Sequence, residues 1–143
     1  MPIGRNKVTA ATVRAVVLLA MFPGAGCGPD PSTARGAAER FLDAHYVAID
    51  LRAARDLTSG LARQKLDGEI ALVGDQQIDD TTRKPLVHYK LLSEHPEAAD
   101  AASFAFLGQI TVPDADSLER HWLVTVRREG GVWRVTNYQE TAE

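Results

Sequence analysis

The pattern of apolar and polar positions divides the chain into a helical half followed by a strand half. In the first half, apolar side chains recur every three or four residues, which is the spacing of one face of an α-helix. A short second helix is predicted after Asp50, and a third over residues 61–73 begins after Ser59 and ends at Gly74. The stripe that predicts the first helix comprises Ala38, Phe41, Leu42, His45, Tyr46 and Ile49.

In the second half, apolar and polar residues alternate, as they do along strands with one buried face. Four strands are predicted, and Gly130-Gly131 forms a tight hairpin turn between the last two, because glycine suits successive positive-φ positions. The strands cover residues 86–94, 101–111, 119–128 and 132–140. The inner face collects Val87, Tyr89, Leu91, Phe104, Phe106, Ile110, Trp122, Val124, Val126, Trp133 and Val135. The outer face collects His88, Lys90, Ser103, Gln109, His121, Thr125, Arg127, Arg134 and Thr136.

These elements predict an α+β domain in which three helices pack on one face of a four-stranded antiparallel meander. The Gly130-Gly131 turn pairs Val126 with Val135, so the two faces stay in register across the hairpin. Strict alternation puts neither an acid nor a histidine on the inner face.

The predicted helices are followed by a meander whose last turn and strand read Gly-Gly-Val-Trp-Arg-Val, residues 130–135. This order of elements resembles the nuclear transport factor 2-like superfamily. That superfamily includes ketosteroid isomerase and small polyketide cyclases, and the resemblance covers roughly residues 33–140. It implies a curved, cone-shaped sheet that wraps the first helix, with a pocket between them. Members act as enzymes, binding modules or dimerisation domains, so the resemblance by itself does not choose a function.

The N-terminus has the order of an export signal. Arg5, Lys7 and Arg14 precede the apolar run 15–22, and small residues then lead to Cys27, which is the only cysteine. The run is too short for a membrane span, which needs about 20 apolar residues. A single cysteine also excludes a disulfide within the chain.

Small residues directly before Cys27 resemble the lipobox of bacterial lipoproteins, which implies that this thiol is lipidated. The resemblance predicts a cell-envelope protein anchored to a membrane, facing the periplasm or the cell surface. Gly24 stands where leucine is usual, and the alternative is an ordinary secretory signal that is cut near Ala25 or Gly26 and releases a soluble protein. The predicted organisation is a signal peptide at 1–26, a lipidated cysteine and tether at 27–32, and one domain at 33–143.

Removing residues 1–26 leaves 13 basic against 19 acidic residues, a net charge of −6. Such a surface argues against nucleic acid as a partner, because phosphate binding needs clustered Lys and Arg. No set of His, Cys and acidic residues has the spacing of a zinc or calcium site. No phosphate-binding loop is present either. The sequence therefore implies no cofactor and no metal.

Two classes of function remain. The favoured prediction is a non-catalytic envelope module that binds a small apolar ligand or an envelope protein, because the predicted inner face lacks a catalytic carboxylate. The alternative is an enzyme of the isomerase or cyclase type that uses His45, Tyr46 and Tyr89. A homodimer through the outer sheet face is also possible, since Ala105, Leu107, Leu123 and Val132 lie there. The residues predicted to bind an apolar ligand are Tyr46, Tyr89, Phe104, Phe106, Trp122 and Trp133.

Overall fold

Three α-helices and four strands make up the part of the chain that the structure, a computed structural model, describes: residues 27–74 and 83–142. The predicted signal peptide and part of the polar segment 75–85 lie outside the described residues. The sheet has the order β1-β2-β3-β4 with every pair antiparallel, so the predicted meander is confirmed. The elements are α1 (Ala34–Leu42), a π-helical turn (Asp43–Val47), α2 (Leu51–Asp56), α3 (Gly60–Val73), β1 (Leu86–Ala98), β2 (Ala101–Thr111), β3 (Ser117–Glu129) and β4 (Val132–Ala142).

Side-chain caps start the first two helices. The Thr33 hydroxyl accepts a hydrogen bond from the Gly36 amide at 3.0 Å, and the Asp50 carboxylate accepts one from the Ala53 amide at 2.9 Å. At the start of α3, Ser59 lies in the N-cap position, but its hydroxyl donates to Glu129 instead. Gly74 ends α3 with φ 62, a conformation that glycine adopts without strain.

The first helix does not continue as one α-helical stripe to Ile49. After Leu42 the backbone widens into the π-helical turn, where the Ala48 amide donates to the Asp43 carbonyl at 2.8 Å. Ile49 then has φ 55, a left-handed conformation that is unusual for a β-branched residue. The turn places the rings of His45 and Tyr46 edge to face, with their centroids 4.2 Å apart.

Strand β1 is longer than predicted and runs through Pro96 to Ala98. Proline is tolerated there because β1 is an edge strand, where a missing amide donor breaks no ladder bond. Leu92 and Glu97 are extra residues at two irregularities in its pairing with β2.

A bulge in β4 changes which side chains face the helices. The predicted pair Val126 and Val135 is present, but Thr136 is an extra residue, because Asn137 pairs with Thr125. An extra residue inverts the alternation of everything that follows it. Val124 therefore pairs with Tyr138 and Trp122 with Glu140 on the inner face. The expectation that this face carries no acid is wrong.

The core lies between the inner sheet face and the helices. Its largest side chains have almost no exposed surface, and the Trp122 ring lies over Gly108, where a Cβ would be only 2.2 Å from the indole. No helix among the described residues is long and apolar enough to cross a membrane. The large, fully buried side chains are Phe41, Leu42, Leu66, Phe104, Phe106, Trp122, Val124, Val126 and Val135.

The two ends of the sheet differ in their connections. We call the end with the tight turns 99–100 and 130–131 the hairpin end, and the end where β1 begins and β4 finishes the loop end. The α3 helix starts beside β4, where the Ser59 amide donates to the Val135 carbonyl at 2.9 Å, and it runs with β4 toward the loop end. The π-helical turn also finishes there, since the Lys84 ammonium lies 3.5 Å from the Ala48 carbonyl.

Candidate functional site

The π-helical turn, α3 and β4 bring three titratable side chains together. Nε2 of His45 lies 2.7 Å from one Glu69 carboxylate oxygen, and the Tyr138 hydroxyl donates to the other at 2.5 Å. The Phe41 ring stacks on His45 with centroids 5.3 Å apart. The cluster therefore links three chain segments through one carboxylate.

His45 is largely but not fully buried, with 9% of its side chain exposed. An ionised carboxylate only accepts hydrogen bonds, so a neutral His45 carries its proton on Nε2 and donates to Glu69. Its Nδ1 is then an acceptor, and among the described residues it has no donor. A buried acceptor without a donor is unusual in a folded protein.

A second carboxylate, Glu140, lies on the inner face beside this cluster. It accepts a hydrogen bond from the Trp122 indole at 3.0 Å and pairs with Arg120 at 3.4 Å. The Tyr46 ring stacks on Trp122 with centroids 4.2 Å apart. Burial, followed by the charge of Glu140, raises the pKa of the Tyr46 hydroxyl, so Tyr46 is neutral at physiological pH.

Tyr89 belongs to a separate pair. Its hydroxyl donates to the Asp43 carboxylate at 2.7 Å, and burial followed by this hydrogen bond raises the pKa of Tyr89. Of the three residues of the predicted enzyme, His45 and Tyr46 are therefore in contact, whereas the Tyr89 hydroxyl bonds elsewhere.

Solved structures with the same arrangement of helices and sheet identify the fold. A candidate calcium/calmodulin-dependent protein kinase type II association domain from Thiobacillus denitrificans is 16% identical, with a TM-score of 0.60 over 81% of this chain and 97% of that one. A ketosteroid isomerase-like protein from Erwinia carotovora atroseptica is 17% identical, with a TM-score of 0.57 over 78% and 95%. The chain has the nuclear transport factor 2-like fold.

A nuclear transport factor 2-like protein of unknown function from Pseudomonas putida agrees with this assignment, at 17% identity and a TM-score of 0.55 over 79% of this chain and 86% of that one. No protein-family model and no curated protein matches the sequence. The similarity therefore establishes the fold alone, and the function has to be argued from the site.

The predicted ligand-binding residues fall into two groups within this fold. Phe104, Phe106 and Trp122 are buried, with at most 1% of their surface exposed. Tyr46, Tyr89 and Trp133 are half-buried and pack against the core. A ligand thus reaches the second group first, and the role of all six residues stays a prediction.

The residues that sequence reasoning missed are Glu69, Tyr138 and Glu140. Glu69 lies four residues after Lys65 on one face of α3, a spacing that is equally typical of an exposed ion pair. Tyr138 and Glu140 turn inward only because of the bulge at Thr136, where the sequence has neither glycine nor proline as a signal.

No group of three His, Cys, Asp or Glu side chains within residues 27–74 and 83–142 is arranged to hold a metal ion. His88 and His121 lie on the outer side of the sheet, opposite Gln109 and Leu107 in the register. Cys27 is exposed.

Proposed function

We propose that this protein is a non-catalytic binding module of the cell envelope. The observation that carries the proposal is that the carboxylates of the site already have partners: Glu69 has His45 and Tyr138, while Glu140 has Trp122 and Arg120. Each of the four carboxylate oxygens is held by one partner within the domain, so neither carboxylate is free to turn toward a substrate proton as a general base does. The arrangement favours a rigid binding wall over proton transfer.

The ligand of this proposal is a small apolar molecule that binds at the loop end. Half-buried Tyr46 covers buried Trp122 there, so a ligand that displaces or stacks on Tyr46 gains a large aromatic surface. Six of the ten exposed large apolar side chains of the described residues also lie at this end of the domain: Val47, Leu72, Val73, Leu86, Val112 and Leu118. We call these six the apolar rim.

Tryptophan fluorescence tests the proposal, because the chain has only two tryptophans. In a Trp133→Phe variant, Trp122 is the sole reporter, and an apolar ligand at the loop end is expected to shift its emission saturably. A Trp122→Phe variant is the matched control, since Trp133 lies toward the hairpin end, opposite Arg128. Saturable binding that changes Trp133 emission alone, or no binding of any apolar probe, would contradict this location.

Attachment to a membrane through Cys27 is the second part of the proposal. The backbone of Asp30 packs on the first turn of α1, because a Cβ at Gly36 would lie 1.8 Å from the Asp30 carbonyl oxygen. The tether is then only three residues long, Cys27 to Pro29. The start of α1 lies toward the hairpin end, since the π-helical turn that follows it finishes at the loop end. An anchored chain would therefore turn the apolar rim away from the membrane.

Intact-mass analysis of protein extracted from membranes tests this attachment. We expect a species that begins at Cys27 and carries acyl mass, and we expect a Cys27→Ala variant to lose both the acyl mass and the membrane association. A soluble product with a free thiol would show that the signal is an ordinary secretory one.

The His45–Glu69–Tyr138 cluster favours a second candidate, an enzyme that moves a proton. A buried imidazole joined to a carboxylate is a common acid–base arrangement, and a ketosteroid isomerase-like protein shares the fold. The test is whether the purified protein isomerises a ketosteroid. Activity that is lost in Glu69→Gln and retained in Glu94→Gln, at the hairpin end, would support the enzyme. Equal rates in both variants, or no rate in any protein, would count against it.

Homodimerisation through the outer sheet face is also part of the proposal. Leu123 and Val132 are 39% and 51% exposed on that face, and a second copy would cover them. Sedimentation at high concentration should give a dimer that Leu123→Glu converts to a monomer, with Leu61→Glu on α3 as the control. A monomer of the unchanged protein would contradict the dimer.

A further inference from the structure

We infer that the loop end binds an amphiphilic amine, with its ammonium group on Glu69 and its alkyl chain on the apolar rim. This inference rests on the proposed binding function and adds the chemical class of the ligand. Glu69 has 37% of its side chain exposed, and among the described residues it forms no ion pair with a Lys or Arg side chain. A carboxylate has about four acceptor positions. Tyr138 and His45 occupy two of them, so acceptor capacity remains toward solvent.

The surroundings of Glu69 suit an ammonium group. Glu69 accepts a hydrogen bond from the hydroxyl of Tyr138, and the face of an aromatic ring attracts cations. Lys65 already shows such a contact, with its ammonium 5.2 Å from the centre of the Tyr138 ring. That ammonium is occupied, because it donates to the Asn137 side chain at 2.9 Å and to the Tyr138 carbonyl at 2.7 Å. Lys65 therefore forms no direct ion pair with Glu69.

Glu140 is less suited to this role, because Arg120 already neutralises it. A primary ammonium brings three N–H donors for the remaining acceptor positions of Glu69, whereas a carboxylate ligand brings none.

The apolar part of the ligand has a surface next to the same carboxylate. Leu72 and Val73 follow Glu69 by three and four residues on α3, so the three side chains share one face of the helix. Leu72 is 89% exposed and Val73 is 38% exposed. A carboxylate one helical turn from exposed apolar side chains matches a molecule with a charged amino head and an alkyl tail.

Titration calorimetry on the full domain tests the inference. The four ligands have one chain length and are used below their micelle concentrations: decylammonium, decyltrimethylammonium, decanol and decanoate. Decylammonium is expected to bind at least tenfold more tightly than decanol. Glu69→Gln should abolish this preference. The matched control Glu94→Gln, at the hairpin end, should preserve the preference. Weaker binding of decyltrimethylammonium, which lacks N–H groups, would support hydrogen bonds from the ammonium to Glu69.

A second pair of variants locates the alkyl chain. Leu72→Ser should weaken all the decyl ligands several-fold, whereas Leu61→Ser, at the other end of α3, should not. Equal binding of decanol and decylammonium would overturn the amine preference and leave the apolar binding function in place. Tightest binding of decanoate would also overturn it. If no ligand binds, both the inference and the proposed function fail.

Discussion

The hairpin end and the loop end of the inner sheet face are held together in different ways. Toward the hairpin end, Phe104, Val126 and Val135 form a mainly apolar layer against the helices, with buried Thr58 beside Val135. Toward the loop end, the sheet instead presents Trp122 and Glu140 to Tyr46, with Glu69 close by. The first region is held mainly by apolar burial, while the second depends on hydrogen bonds between side chains that are distant in the sequence.

The difference shows which region is able to adapt to a ligand. Apolar burial stabilises by about 25 cal/mol per Å² and needs no exact partner. A hydrogen bond contributes only about 1 kcal/mol net and depends on the position of both groups. We therefore expect the loop end to open at a lower free energy than the hairpin end, as binding regions commonly do.

Deleting Thr136 and Asn137 together should have the largest effect, because it turns over the end of β4 on which the loop end depends. Tyr138 would then pair with Thr125 on the outer face, and Glu140 would also leave the inner face. We expect a loss of about 4 kcal/mol in the free energy of unfolding, comparable to removing a large core aromatic, measured by urea unfolding. Deleting Thr136 alone is the matched control, with a much smaller expected loss, because the residues after the bulge would keep their partners on β3. An unchanged unfolding midpoint of the double deletion would show that the register of β4 does not orient Tyr138.

Gly108→Ala should have the next largest effect, because it crowds the tryptophan at the boundary of the two regions. A Cβ there would lie 2.2 Å from the Trp122 ring, so the indole and the Tyr46 ring stacked on it have to shift. Overpacking of this kind costs about 3 kcal/mol in the free energy of unfolding. Gly68→Ala on α3 is the matched control: its Cβ meets nothing within 4 Å, and it should stabilise by about 1 kcal/mol. Equal effects of the two changes would contradict the packing of Trp122.

Tyr138→Phe should have a smaller effect, since it removes one hydrogen bond to Glu69 and keeps the ring. We expect a loss of about 1.5 kcal/mol, the usual value for a bond to a charged group. In a Glu69→Gln background the loss should shrink, which a double-mutant cycle from denaturant unfolding measures. Tyr89→Phe, whose hydroxyl bonds to Asp43, should be additive with Glu69→Gln. If the losses from Tyr138→Phe and Glu69→Gln simply add, the His45–Glu69–Tyr138 cluster does not act as a unit.

The smallest effect at neutral pH is expected from the tyrosines, which become important only in alkali. Burial raises the pKa of all three, Tyr46, Tyr89 and Tyr138, so the folded state keeps protons that the unfolded state releases above about pH 10. Their contribution to stability is fully present below that pH and is lost as the pH rises further. Tyrosinate absorbance should therefore appear together with unfolding. In urea, where the protein is unfolded, tyrosinate absorbance should appear near pH 10. Tyrosinate absorbance near pH 10 in the folded protein would contradict the prediction.

Much of the fold could be predicted from local signals. Asp50 and Gly74 delimit helices through chemistry that acts within a few residues, and Gly130-Gly131 sets the β3–β4 register up to Val135. Beyond Thr136 the prediction was wrong, because a bulge without glycine leaves no mark on the sequence. The extension of β1 through Pro96 was also missed, since proline is excluded only from strands that are paired on both sides.

The candidate site was predicted only in part. His45 and Tyr46 were identified from the helical stripe, but Glu69 resembles any exposed acid of an amphipathic helix. Its role depends on α3 starting beside Val135 and running along β4. No local pattern encodes that path, because it follows from how the helices cover the sheet.

The sequence by itself determined the α+β class, the order of the elements and the apolar inner face, because periodicity and turn chemistry act over a few residues. It also carries the export and lipidation signals at Cys27, which remain predictions. Only the tertiary structure decided that Tyr138 and Glu140 face inward and that His45 meets Glu69. Contacts between distant segments depend on strand register and helix position, and a one-residue bulge is enough to change them.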